Sequence, residues 1–258
     1  YINDGNGNFG RAAEGLIPKL YESGSVVSVA DINQDGRDDL FIGGRTVPGN
    51  YPSSPRSFIL INSGARFINE TQKVAPSLAN AGMVTSAIFS DVNNDDWPDL
   101  LVTYEWGPVR FYLNDKGRLS DKTSMVGLDS KIGWFSSISP GDIDNDGDID
   151  FIVGNTGYNT KYKASYLNPE ILYYGDFEGN GKKNIVEAKF EDNVCFPRRG
   201  LGCSSDAMPI IKERFPTYHQ FAISSVDQIY SQELLDKAQK FEVNELASAI
   251  IENRTTKE

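Results

Sequence analysis

The chain has 258 residues, 39% of them hydrophobic, with 24 Gly, 12 Pro, 2 Cys and a formal net charge of −11. That length can bury a large core in one domain or two, and the Gly and Pro content favours many short elements joined by turns. The negative charge argues against nucleic acid and anionic membrane surfaces as partners, and no apolar run approaches the roughly 20 residues of a membrane-spanning helix.

The first element, Tyr1-Ile2-Asn3-Asp4-Gly5-Asn6-Gly7-Asn8-Phe9, reads as a strand, a turn and a second strand. With no initiating Met and no signal peptide ahead of it, the sequence is expected to be a mature or trimmed piece of a longer chain. A ten-residue pattern then recurs. Asp31 to Leu40 read D-I-N-Q-D-G-R-D-D-L, Asp91 to Leu100 D-V-N-N-D-D-W-P-D-L, Asp142 to Phe151 D-I-D-N-D-G-D-I-D-F, and Asp176 to Ile185 D-F-E-G-N-G-K-K-N-I. The starts are 60, 51 and 34 residues apart. Positions 2 and 10 are always apolar, and the residue before each loop is small: Ala30, Ser90, Gly141 and Gly175. Strand-length apolar runs flank the loops, so each is expected to join two strands, the first of them crowded against its equivalents.

The side chains at alternate positions of such a loop can turn inward and offer oxygens to one hard cation. Calcium takes six to eight oxygens and tolerates irregular geometry, whereas magnesium demands a stricter octahedron. The four loops hold 15 of the 36 Asp and Glu, and four calcium ions would bring the net charge from −11 to −3. Four or five carboxylates in one loop repel each other without a cation. The EF-hand needs a Glu at position 12 and flanking helices; position 12 here is Ile42, Val102 or Val153, inside an apolar strand.

A second pair of strands follows in the first two units: Ser57–Asn62 with Arg66–Asn69, and Val109–Asn114 with a polar strand near Leu119. Four antiparallel strands in roughly 50–60 residues are the anatomy of a propeller blade. The expected fold is therefore all-β: one propeller domain over residues 1–258, with blade units near 1–12 (a half), 25–71, 85–123, 134–165 and 170–258. Blades at both ends are incomplete, and a partly helical insertion occupies residues 192–240. Within it, Ser231 is placed to cap a helix from Gln232 to Gln239, and Leu246–Asn253 resembles the third strand of a blade. No outer strands are evident over Thr156–Ser165.

The repeat resembles the FG-GAP or VCBS repeat of integrin-α-like propellers, on the three loops in one register. That resemblance implies side-chain ligands at positions 1, 3, 5 and 9 and a backbone carbonyl at position 7. The implied calcium ligands are Asp31, Asn33, Asp35, Arg37 and Asp39; Asp91, Asn93, Asp95, Trp97 and Asp99; Asp142, Asp144, Asp146, Asp148 and Asp150. Asp176, Glu178, Asn180, Lys182 and Asn184 form a fourth set expected to bind most weakly or not at all. Asp96 stands where glycine is usual. Segments such as Gly154–Ser165 and Pro197–Gly200 are similar to the bacterial cartilage-acidic-protein-like VCBS proteins, which implies an extracellular, secreted or outer-membrane-associated setting.

Cys195 and Cys203 bracket a short loop and are compatible with a disulfide in an oxidising compartment, the alternative being two free thiols. Asn69-Glu70-Thr71 and Asn253-Arg254-Thr255 fit the glycosylation sequon. His219 is the sole histidine, and no catalytic set stands out. Tyr104 and Trp106 at a strand end are read as a platform for a sugar or protein, and Arg198 and Arg199 as a site for an anionic group. The functional expectation is a calcium-stabilised, non-enzymatic module for surface attachment or assembly that binds an extracellular protein or glycan. The alternative is an enzyme acting on extracellular polysaccharide by elimination.

Overall fold

The computed structural model describes residues 1–254, and its contacts divide the chain into two compact units. The first comprises residues 1–130, 135–154 and the segment from Ser248; the second comprises 131–134 and 155–247. The fold is all-β, built from antiparallel sheets with a few short helices. Thr255 of the second sequon, and the end of the last expected blade unit, lie outside the described residues.

The first unit opens with an exposed hairpin, β1 (Ile2–Asn3) and β2 (Phe9–Gly10). A four-stranded sheet follows, β3 (Ser23–Ala30), β4 (Asp39–Thr46), β5 (Phe58–Asn62) and β6 (Phe67–Asn69), each strand pairing with the next. After helix α1 (Thr71–Val74), a second sheet repeats the plan with β7 (Met83–Ser90), β8 (Asp99–Gly107), β9 (Arg110–Asn114) and β10 (Leu119–Asp121). Beyond the two-residue strand β11 (Gly133–Trp134), a third sheet begins with β12 (Ser137–Gly141) and β13 (Asp150–Gly154). Ala30↔Asp39, Ser90↔Asp99 and Gly141↔Asp150 pair at the same point of each sheet. The loop register read from the sequence is thus also the strand register.

The period-2 alternation of strands sorts the core. On β8, Leu100, Val102 and Tyr104 join a buried cluster with Phe41, Ile59 and Leu78 of the first repeat. Leu101 instead joins Phe111, Ile138, Phe151 and Val153, where the second and third sheets meet. The sheets therefore stack face to face, as blades do. Their close approach needs glycine at position 43, where an added Cβ would lie 2.5 Å from Val84 Cγ1 of β7. Crowding at the small residues before the loops is uneven. A Cβ on Gly175 would meet Ala238 Cβ at 2.8 Å, whereas Gly141 has open space around it.

The second unit contains β14 (Glu170–Gly175), β15 (Asn184–Glu191) and β16 (Val194–Pro197). Helices α2 (Leu201–Ala207), α3 (Ile210–Arg214), α4 (Tyr218–Ala222), α5 (Val226–Tyr230) and α6 (Gln232–Lys237) follow. Strand β17 (Gln239–Val243) returns to pair with β14, giving the order β16-β15-β14-β17. Apolar residues of β14, β15 and all five helices share one core, with Phe177 edge-on to Tyr230 at 5.3 Å between ring centroids. Ser231 caps α6 by accepting from Leu234 N–H, as its sequence suggests. The unit's two ends are tied together: Asn155 Nδ2 donates to Glu245 O at 2.9 Å and Gly157 N–H to Leu246 O at 2.7 Å.

Strand β18 (Ala249–Ile251) differs from expectation in its partner. Phe151↔Ile251 and Val153↔Ala249 pair it with β13, so it is the third strand of the third sheet rather than part of a sheet with β14. In sequence, the whole segment from Asn155 to Ala247 is inserted between two paired strands of one sheet. Cys195 on β16 and Cys203 on α2 are free thiols, the first half-buried and the second exposed, so the bridge that the sequence permits is not formed.

Candidate metal centre

Each loop is wound by its own carboxylates. The position-1 aspartate accepts from the N–H groups of positions 5 and 6: Asp31 from Asp35 and Gly36 at 3.0 and 2.7 Å, and Asp91 from Asp95 and Asp96 at 3.0 and 2.8 Å. Asp142 accepts from Gly147 at 3.2 Å, and Asp176 from Gly181 at 2.6 Å. Position 5 accepts from position 7 in the same way, as in Asp146 from Asp148 N–H at 2.8 Å. Such turns need a left-handed backbone at positions 4 and 6. Gln34, Asn94 and Asn145 have φ of 55°, 58° and 62°, and Asp96 takes 69° where Gly36 and Gly147 take 81° and 94°. Asp96 therefore occupies a glycine conformation.

This winding points the acids of one loop at a common centre. Asp142, Asp144 and Asp146 each place an oxygen within 4.8 Å of the others, all three exposed. Partial loss of solvation, together with the neighbouring charges of Asp146, Asp150 and Glu252, pushes the Asp144 carboxyl above its ordinary range. Carboxylate oxygens alone, at that separation, suit a hard divalent cation. The other loops place their polar atoms differently. In the first, Arg37 Nη2 pairs with Asp35 Oδ2 at 2.5 Å. In the second, Asn93 Nδ2 donates to Asp95 Oδ2 at 2.9 Å, and in the fourth Asn180 Nδ2 donates to Glu178 Oε2 at 3.0 Å. Position 12 lies on a strand in the first three loops, as Ile42, Val102 and Val153 on β4, β8 and β13.

The position-9 aspartates are buried and serve as clasps. Oδ2 of Asp39 accepts from Ile32 N–H at 3.1 Å, and Oδ1 from Asn62 N–H at 2.7 Å. Asp99 grips Val92 and Asn114 at 3.1 and 2.7 Å, and Asp150 grips Ile143 and Asn253 at 3.0 and 2.8 Å. Each carboxylate thus ties its own loop to the third strand of its sheet. Burial raises the Asp39 carboxyl, and that of Asp99 to about 6, with nearby loop acids adding to both. Asp150 is instead lowered, because the Ile143 and Asn253 N–H groups outweigh desolvation.

In the fourth loop Asn184 occupies position 9, and its buried Nδ2 has no hydrogen-bond partner. The ladder of β16 with β15 runs from Glu191 to Ala188 and stops short of Asn184, so it carries no third-strand N–H to position 9 of this loop. The sequence marks none of the asparagines that complete the other clasps, Asn62, Asn114 and Asn253, for this role, and Asn253 is read there only as a sequon residue. Their signal is an Asn at the end of each third strand or just beyond it.

The other sequence candidates are placed as follows. Tyr104 is 1% exposed and lies in the core, its hydroxyl 3.2 Å from that of Tyr112, so it presents no platform. Trp106 is half-buried at the end of β8 away from the loops, where Nε1 donates to Tyr51 Oη at 2.7 Å. The Tyr51 hydroxyl donates in turn to Glu105 Oε1 at 2.8 Å, and Arg45 pairs with the same carboxylate. Arg198 is paired with the buried Glu170 and stacks 4.7 Å from the Tyr162 ring centroid, while Arg199 Nε donates to Glu187 Oε2 at 2.8 Å. Both arginines are neutralised within the protein. Thr71 of the first sequon is buried, and Asn69 Oδ1 accepts from its N–H and hydroxyl at 3.2 and 2.7 Å. His219 is exposed on α4.

No helix among the described residues is long and apolar enough to cross a membrane. Comparison with curated proteins found no match. Comparison with protein families found the FG-GAP-like repeat over residues 1–42 and 56–153, a span that takes in the first three loops and the strands on either side of them. With the blade-like sheets and their shared loop geometry, that match identifies the chain as a member of the FG-GAP-like repeat family.

Proposed function

We propose that this chain is a calcium-stabilised extracellular propeller module that serves in surface attachment, ligand recognition or assembly and has no catalytic role. The observation that carries the calcium reading is the convergence of Asp142, Asp144 and Asp146 within 4.8 Å in a loop joining two paired strands. Equivalent windings at Asp31 and Asp91 support two further sites, and the fourth loop, with two asparagines among its inward positions, is the weakest. The loop residues would hold the ion and so rigidify the turn between first and second strands. Bound to the folded state alone, each filled site adds about 2.7 kcal/mol at a free concentration one hundred times its Kd. The FG-GAP-like match supports an extracellular setting, and the −11 charge disfavours nucleic acid.

Recognition is assigned to the opposite strand ends, where Trp106, Tyr51, Glu105 and Arg45 form one hydrogen-bonded group. An extracellular protein or glycan fits such an aromatic and charged surface. Thermal melts in calcium and in EGTA test the first part; identical melting temperatures would overturn it. Glycan and matrix-protein arrays test the second, with binding lost in Trp106→Ala as the expected result. Growth of ultraviolet absorbance on uronate-rich polymers would instead establish an eliminating enzyme.

A further inference from the structure

The three loops of the first unit are wired together. Asp39 Oδ2 accepts from Ile32 N–H, and Ile32 O accepts from Asn114 Nδ2 at 3.0 Å. The Asn114 N–H donates to Asp99 Oδ1, and Asp99 Oδ2 accepts from Val92 N–H. Val92 O accepts from Asn253 Nδ2 at 2.8 Å, and the Asn253 N–H donates to Asp150 Oδ1. One continuous chain of hydrogen bonds therefore runs from the first loop through the second to the third, alternating a buried carboxylate with an asparagine. A second set of links joins the loop tips. Gln34 Nε2 donates to Asp96 O at 2.8 Å, and Asn94 Nδ2 donates to Asp148 Oδ1 at 3.2 Å.

We propose that the three loops fill with calcium as a coupled set, with Asn114 and Asn253 as the positioning residues that transmit occupancy from one loop to the next. The inference rests on the calcium reading given above. Its physical basis is that each asparagine holds two loops at once: its backbone N–H fixes the position-9 carboxylate of its own sheet, and its side-chain amide fixes the position-2 carbonyl of the preceding loop. Ordering one loop therefore fixes a donor that the next one requires, and the entropy of ordering is not spent twice. Binding energies so linked are reciprocal, so each loop raises the affinity of its neighbour by the same factor.

The test is a calcium titration of the whole chain followed by NMR. The Gly36 and Gly147 amides report the first and third loops, and the Trp97 indole N–H the second. The expected result is that all three move over one narrow concentration range. Asp144→Asn, which disables the third loop, is expected to weaken filling at Trp97 by about tenfold. Asn253→Ala keeps the backbone N–H to Asp150 but removes the link to Val92, and should cut that effect to about threefold. Asn94→Gly, at an exposed site whose positive φ glycine accepts, should act in the same direction if Asn253→Ala does not fold. If no resonance responds to calcium, the functional reading itself fails. If all three respond and Asp144→Asn leaves the Trp97 midpoint unchanged, calcium binding stands and the coupling is overturned.

Discussion

The ninth loop position separates the two units. In the first it is an aspartate whose two oxygens each accept a backbone N–H, one from its own loop and one from the third strand. In the second it is Asn184, buried to 8% exposure with an unpartnered nitrogen. Both loops turn alike, since Asp176 and Asp91 accept from the same downstream N–H groups. The acid at position 9 is therefore not what makes the turn. It is retained where a third strand delivers a second donor, and it gives way to an amide where that strand falls short. A buried carboxylate with only one donor would be costly.

The largest effect should come from cutting the clasp. Asp99→Ala leaves the Val92 and Asn114 N–H groups buried without acceptors, and about 2–5 kcal/mol of stability is expected to go; urea unfolding would measure it. Asn184→Ala should cost far less, because its nitrogen already has no partner. Equal losses at the two sites would break the comparison. Next in size is a packing test in each unit. Gly43→Ala and Gly175→Ala place a methyl against Val84 and Ala238 respectively, and about 1–3 kcal/mol is expected for each.

A pH profile sharpens the electrostatic contrast within the first unit. In chelator, Asp99 titrates near 6 in the folded protein, above its ordinary 3.8. Its folded form is the stronger proton binder, so its contribution is full below about pH 4 and is lost as pH rises through 6. Asp150, lowered in the fold, contributes above the ordinary carboxyl range and loses that contribution as pH falls. Asp99→Asn should remove the decline between pH 4 and 7, and an unchanged slope in that variant would count against the assignment. The smallest effect is on reactivity rather than stability. Burial pushes the Cys195 thiol to about 11, so at pH 8 alkylation should mark the exposed Cys203 well before Cys195.

Much of this was legible in the sequence, and the limits are instructive. The loops and the strands beside them could be read because their signals are local: acids at alternate positions, then an apolar run. Residue parity on β8 was also present, since Tyr104 shares the face of Leu100 and Val102, yet a strand-end aromatic reads as a surface feature until that face is seen to be buried. The short helices α2 to α5 have five to seven residues each, too few for a helical period to emerge. The clasps escaped notice because each joins an aspartate to an asparagine on another strand. The partner of β18 was unreadable for a stronger reason: Ile251 and Phe151 meet only after a folded segment has intervened.

That insertion bears on how quickly the third sheet can be completed during synthesis. Residues 155–248 separate β13 from β18, and pairing strands across so long a flexible stretch is slow. Once the second unit has folded, its own bonds from Asn155 to Glu245 and from Gly157 to Leu246 bring its two ends side by side. A closure that would span the whole insertion then becomes one between neighbouring points. The expected order is that the inserted segment folds before β18 docks, so damage inside the insertion should surface as an unfinished sheet elsewhere in the chain.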